Sequence, residues 1–189
     1  MSGSNDIGRL GERIGDKLLA SAEFRGEATV VVALDALHEA MRICRDEFGF
    51  AMLLDMASID HFGADPRFEV VYELSTVDAS RNLRVKAKVA EDGEVPTCSD
   101  LWPGAEWHER EGFDMMGIRF KGHPDLRRIL MWEGYPYHPL RKDFPLAGRP
   151  SEVPGVAFTD VVPLEGGPFV TPAGAPNRVL GEPRARPVD

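Results

Sequence analysis

Apolar residues fall into two rhythms along this chain of 189 residues. Ile7, Leu10, Ile14 and Leu18 recur at intervals of three and four behind Asn5 and Asp6, which predicts a short amphipathic helix with a polar cap. Leu37, Met41, Cys44 and Phe48 keep a similar interval after Asp35, so a second helix is expected to start at that aspartate and to stop at Gly49. Residues 28–34 form a β-branched run between the two helices, and 50–59 a mostly apolar run with Asp55 as the exception; both read as strands.

Beyond the turn at 63–66 the period becomes two. Phe68, Val70, Tyr72 and Leu74 alternate with Glu69, Val71, Glu73 and Ser75, and Leu83, Val85, Ala87 and Val89 alternate with Arg84, Lys86 and Lys88. These are expected to be adjacent antiparallel strands with one wet face, where glutamates of one strand can pair with the basic row of the other. From Ser99, with Asp100 as an alternative cap and Pro103 suited to a first turn, a helix is expected to run to about Met116. Within it Arg110 stands four residues from both Glu106 and Asp114, a spacing that lets one guanidinium serve two carboxylates.

The order of elements implies an α+β fold over 1–144, a mainly antiparallel sheet with helices packed on one face. Residues 145–189 differ in kind. They hold nine of the 15 prolines and six glycines, yet also carry Val156, Phe158, Val161, Val162, Leu164, Phe169 and Val170. Proline at this density prevents a helix or an inner strand, while the apolar residues argue against a purely solvated linker, so an extended Pro-rich C-terminal arm that orders on a partner is expected.

Thirty-one acidic against 22 basic side chains give a net charge of -9, which argues against a nucleic-acid binder. The charge is uneven, because Arg119, Lys121, Arg127, Arg128, Arg141, Lys142 and Arg149 face only three acids over the same stretch. That basic strip suggests an acidic partner surface, against the plainer reading of solvated side chains on a loop. No apolar run approaches the roughly 20 residues of a bilayer span, and residues 1–13 lack the apolar core of a secretory signal. Cys44 and Cys98 have no CxxC partner and read as buried thiols; two cysteines fall short of the four ligands an iron-sulfur cluster normally takes.

Catalytic patterns are weak. His108-Glu109 opens like a zinc-protease helix, but Gly112 stands where the second histidine belongs. Glu106, Glu109, Glu111 and Asp114 offer carboxylates for acid/base work, with Arg110 placed to neutralise two of them. His123 and His138, each followed by proline, lie in loops that permit metal ligation without requiring it. His38, beside the stripe of the second helix, reads as a partly exposed histidine. There is no glycine-rich phosphate loop and no evident Ser-His-Asp set.

The run Glu109-Arg110-Glu111, then Asp114-Met115-Met116, His123, Arg127 and Ile129-Leu130, with the lead-in Trp102-Pro103 to Trp107-His108 and the sequel from His138 to Leu146, resembles the signature of a known family. It is similar to the thirty-kilodalton subunit of respiratory NADH-quinone oxidoreductase, complex I. The resemblance is best over 95–146, and Gly112 and Met116 stand where the family often has bulkier, aromatic residues. It implies a non-redox structural subunit of the peripheral arm, packed against the forty-nine-kilodalton subunit, at the cytoplasmic side of the cell inner membrane. FMN and iron-sulfur clusters would lie in partner subunits, with no catalytic, cofactor-binding or metal residue in this chain. Ending at Asp189, the chain is expected to be the separate rather than the fused form. The expected partner interface is Arg141, Lys142, Phe158, Val161, Val162 and Leu164, while Glu109, Arg110, Glu111, Asp114, His123 and Arg127 have structural roles. An equivalent subunit of a related membrane-bound hydrogenase or dehydrogenase is the alternative; an acid/base enzyme using His108 and Glu111, and a general interaction module, are the rivals from other classes.

Overall fold

The computed structural model describes residues 3–145. The chain runs α1 (Gly3–Ile14), β1 (Leu18–Phe24), β2 (Glu27–Val32), α2 (Leu37–Asp46), β3 (Met52–Asp60), β4 (Phe68–Ser75), β5 (Asn82–Val89), β6 (Glu94–Pro96), α3 (Ala105–Met116) and β7 (Arg119–Lys121). The first compact unit covers Met1–Lys142. Of the residues expected to form the C-terminal arm, those beyond 145 lie outside the described residues, as do Phe158, Val161, Val162 and Leu164.

The five long strands form one sheet in the order β1-β2-β5-β4-β3. Alternation in β4 and β5 sets their pairing, which is antiparallel with Tyr72 opposite Val85 and Leu74 opposite Leu83. That register puts Phe68, Val70, Tyr72, Leu74, Leu83, Val85, Ala87 and Val89 in one buried cluster with Leu10 of α1, Leu37, Met41 and Cys44 of α2, and Ala105 and Met115 of α3. Each such side chain removed from water contributes roughly 1.5–3 kcal/mol, so the shared cluster holds the three helices to the sheet. The expected wet face holds only for β5: on β4 the opposite-face residues Glu69, Val71 and Ser75 are buried and Glu73 is half-exposed, while Arg84 pairs with Glu73 and Lys86 lies 3.7 Å from Glu69.

Three local expectations need correction, and one pairing goes beyond the mainly antiparallel sheet expected. Leu18 opens β1 instead of closing the first helix; β1 is exposed beyond that residue, so its apolar positions carry no burial pattern to read. The pairing of β2 with β5 is parallel, which makes the sheet mixed although its other contacts are antiparallel. Asp35 lies in a 3-10 turn (Leu34–Ala36) and pairs with Lys17, while α2 begins without a side-chain cap. Residues 98–104 turn before α3, with the amides of Leu101 and Trp102 both bonded to the Cys98 carbonyl, so the helix starts at Ala105 rather than at Ser99.

Candidate functional site

Helix α3 carries the charged run that dominates the sequence, and two glycines fix where it can lie. A β-carbon on Gly112 would come within 2.9 Å of Ser58 Oγ on β3 and 3.4 Å of the Phe120 ring. Only a residue without one lets the helix approach the sheet this closely. Gly117 ends the helix with φ 77° and its amide donates to the Phe113 carbonyl. A β-carbon there would lie 2.7 Å from His138 Nε2 and 2.6 Å from an Arg141 nitrogen, so the segment returning at 138–141 packs on the bare backbone.

Asp114 is fully buried and is the chief tie between α3 and that returning segment. One carboxylate oxygen accepts the amides of Ile129, Leu130 and Met131 at 3.0, 2.7 and 2.8 Å, and the other pairs with Arg128. Burial alone would raise its pKa, but the three amides and the guanidinium outweigh burial and hold the carboxyl below its ordinary range. Arg128 also donates to the Asp114 and Tyr137 carbonyls, and His138 Nδ1 sits 2.9 Å from the same Asp114 carbonyl.

Glu109 is equally buried but differently held. It accepts from the Cys98 amide at 2.7 Å and the Thr97 hydroxyl at 2.5 Å, with no cation bonded to it. Burial therefore dominates and pushes this carboxyl above its usual range. Tyr72 and Cys98, on the sheet side of the same region, are pushed up by burial too, as is Cys44, to about 12. Both cysteines are free and buried.

Arg110 does not serve two carboxylates. It is buried, donates to the carbonyls of Arg127 and Arg128 at 3.2 and 3.0 Å, and lies over the Trp107 ring at 5.3 Å; it forms no ion pair with Glu106 or Asp114. The helical spacing is compatible with such pairs, but the carbonyls of Arg127 and Arg128 take the guanidinium's donors instead. His123 bridges locally, its Nε2 3.1 Å from the Glu106 carbonyl and its Nδ1 accepting the Asp125 amide. Arg127 is exposed and pairs with Asp125, and Glu111 is exposed.

Arg141 turns inward. Its Nε donates to the Met116 carbonyl at 2.6 Å, one terminal nitrogen pairs with Glu91 at 2.9 Å, and the guanidinium lies over Phe68. Lys142 keeps an exposed side chain while its amide donates to Asp60, which Arg67 grips with two bonds of 2.9 Å. Arg128, Asp60, Arg67 and Thr97 were thus missed as parts of this network. Only their partners, brought together by the fold, reveal them.

Of the groups that suggest catalysis, His108 and Glu111 come together in one cleft, whereas His123 and His138 do not join them. His108 Nδ1 lies 3.3 Å from Asp55, and both line a cleft of about 180 Å³ with Glu111 and Ser58, but His123 and His138 are bonded elsewhere. Among the described residues no group of three or more His, Cys, Asp or Glu side chains is arranged to hold a metal, and no helix is long and apolar enough to cross a membrane.

Residues 30–150 match the family described as respiratory-chain NADH dehydrogenase, 30 Kd subunit. The chain belongs to this family. An NADH-quinone oxidoreductase subunit of Bartonella bacilliformis is 47% identical over 141 residues, 74% of this chain and 69% of that protein. Its counterpart in Citrifermentans bemidjiense is 43% identical over 145 residues, 76% of this chain and 90% of that one. Among solved structures, a chain of the membrane-bound sulfane sulfur reductase, an archaeal respiratory membrane complex, superposes with a TM-score of 0.66, covering 76% of this chain and 86% of its own. At 23% identity that likeness speaks for the fold.

In this member of the thirty-kilodalton family, then, three residues of the charged run are internal ties. Glu109, Arg110 and Asp114 all turn inward onto backbone groups of 97–98 and 127–131. Gly112 is matched here by the close approach of β3.

Proposed function

We propose that the chain is a non-redox structural subunit of the peripheral arm of a proton-translocating NADH-quinone oxidoreductase. Its contribution is geometric: it holds neighbouring subunits so that their centres keep a working spacing. FMN and iron-sulfur clusters belong to those partners, electrons pass through them from NADH to quinone, and this chain supplies no catalytic residue. The partner in direct contact is the forty-nine-kilodalton subunit, reached through Arg141, Lys142 and the arm of 145–189 with Phe158, Val161, Val162 and Leu164. Through the complex the chain lies at the cell inner membrane, peripheral and on the cytoplasmic side.

The observation that carries this reading is family membership over residues 30–150, together with signature side chains that bind the chain's own backbone. Carboxylates aimed at a substrate would keep open coordination; Asp114 has four donors within the chain. A second reading, the equivalent subunit of a related membrane-bound reductase or hydrogenase, draws support from the fold shared with the sulfane sulfur reductase chain. Identity of 47% to an NADH-quinone oxidoreductase subunit, against 23% there, favours the first.

Tagging the chain in its native cells and solubilising membranes in mild detergent tests the proposal. A copurifying flavin and iron-sulfur assembly with NADH:quinone reductase activity is expected. The same assembly with a different electron donor would support the second reading, and a lone soluble chain would overturn both.

A further inference from the structure

β3 is the last strand of the sheet and pairs only with β4. Nine residues long, it contains neither lysine nor proline to blunt its open edge, and among the described residues no backbone hydrogen bond crosses that edge. The single irregularity, between Leu53 and Asp55, leaves 55–60 in regular register. An open edge of this kind is a template for another extended chain. Met52, Leu54 and Ile59 along it are 43%, 51% and 37% exposed, an unusual run of large apolar side chains left to water.

Beside the edge lies the cleft between β3 and α3. Met56, Met115, Met116 and Leu140 give it apolar walls, while Asp55, His108 and Glu111 contribute its charged groups. Glu111 has no cationic partner among the described residues. The Ser58 hydroxyl lines the same cleft, is buried, and has no hydrogen-bond partner. A buried hydroxyl left unsatisfied is rare enough to need an explanation.

We infer that this groove docks an extended segment of a partner polypeptide, which adds as a strand to the outer edge of β3 and places one lysine or arginine side chain in the α3–β3 cleft. Backbone pairing satisfies the open edge, as in other strand-addition interfaces, and the cleft supplies selectivity. A long basic side chain fits the cleft chemically: its methylenes lie along the methionines, and its head group meets Glu111 and Asp55 and can donate to Ser58 Oγ. This surface is separate from the Arg141 and Lys142 interface and rests on the chain being held in a larger assembly.

Hydrogen exchange on the full-length chain, alone and within the detergent-solubilised assembly, tests the inference. Amides of 53–60 are expected to exchange on the order of tenfold or more slowly in the assembly. Glu111→Lys, at an exposed position, is expected to leave the thermal melt of the chain unchanged while sharply reducing the amount recovered in the assembly; Glu12→Lys, the same charge change at an exposed position on α1, serves as the control and is expected to assemble normally. An intact assembly in which β3 exchanges as fast as in the lone chain, or in which Glu111→Lys is recovered at wild-type levels, would overturn the inference while leaving the subunit reading in place. A chain that purifies without partners would overturn both.

Discussion

Arg128 reaches Asp114 twice, donating to its carboxylate and, at 3.1 Å, to its backbone carbonyl. Thus the last turns of α3 and the 128–131 turn are held as one body. Asp114→Ala would leave Arg128 largely buried without its counter-charge and three amides without an acceptor. Breaking a buried pair in this way costs about 3–5 kcal/mol. Urea unfolding of the full chain checks this, and a loss below about 1 kcal/mol would show that the tie is not structural.

The two buried carboxylates predict opposite responses to pH. Glu109 has a raised folded-state pKa, so between its ordinary value of 4.5 and that raised value the unfolded chain releases a proton that the folded chain keeps. Stability from this group is full below pH 4.5 and falls as pH rises through the folded pKa. Asp114, held low, stabilises at every pH above its ordinary 3.8 and loses that contribution as pH falls through its folded pKa. Relative to Glu109→Gln, the unsubstituted protein should therefore lose stability as pH is raised from 4.5 towards neutrality. Parallel urea titrations across that range measure it; a constant difference would rule out the raised carboxyl.

Gly112 and Ser58 should behave as a coupled pair. Gly112→Ala drives a β-carbon to 2.9 Å from Ser58 Oγ, and overpacking of this kind costs about 1–3 kcal/mol. Ser58→Ala removes an unpaired buried hydroxyl and should be neutral or stabilising alone. Combined, the two should cost clearly less than Gly112→Ala, which a double-mutant cycle by thermal unfolding would reveal.

Arg141 and Lys142 separate fold from interface. Arg141→Ala removes the cap on the Met116 carbonyl and the pair with Glu91, so it should lower the melting temperature of the isolated chain. Lys142→Ala should leave that temperature unchanged, because its side chain is exposed and the bond to Asp60 uses the backbone amide. If both assemble normally, the proposed contact with the forty-nine-kilodalton subunit at these residues is wrong.

The parts of this structure legible in the sequence are those where burial writes a period. Phe68, Val70, Tyr72 and Leu74 announce β4 because one face is apolar and the other is not, and even the pairing of Arg84 with Glu73 follows from that register. β1 left little trace, since its residues after Leu18 are exposed and free of packing constraint. The parallel pairing of β2 with β5 joins segments some fifty residues apart and has no local signature. Around α3 the sequence marked Glu109, Arg110 and Asp114 but not what they bind. Arg110 and Asp114 sit four apart on one helix, yet local helix pairs are worth only about 0.2–0.5 kcal/mol. The carbonyls of 127 and 128 and the amides of 129–131 take those side chains instead, and their approach is a property of the fold.

On the proposed reading this chain contributes position rather than chemistry. The most direct test of this replaces Asp114 by Ala in native cells and measures two quantities in solubilised membranes: the amount of assembled complex, and the NADH:quinone turnover per assembled complex, counted by flavin. Less complex is expected, with unchanged turnover in what does assemble. A normal amount of complex with lost turnover would contradict it and would place chemistry in this chain.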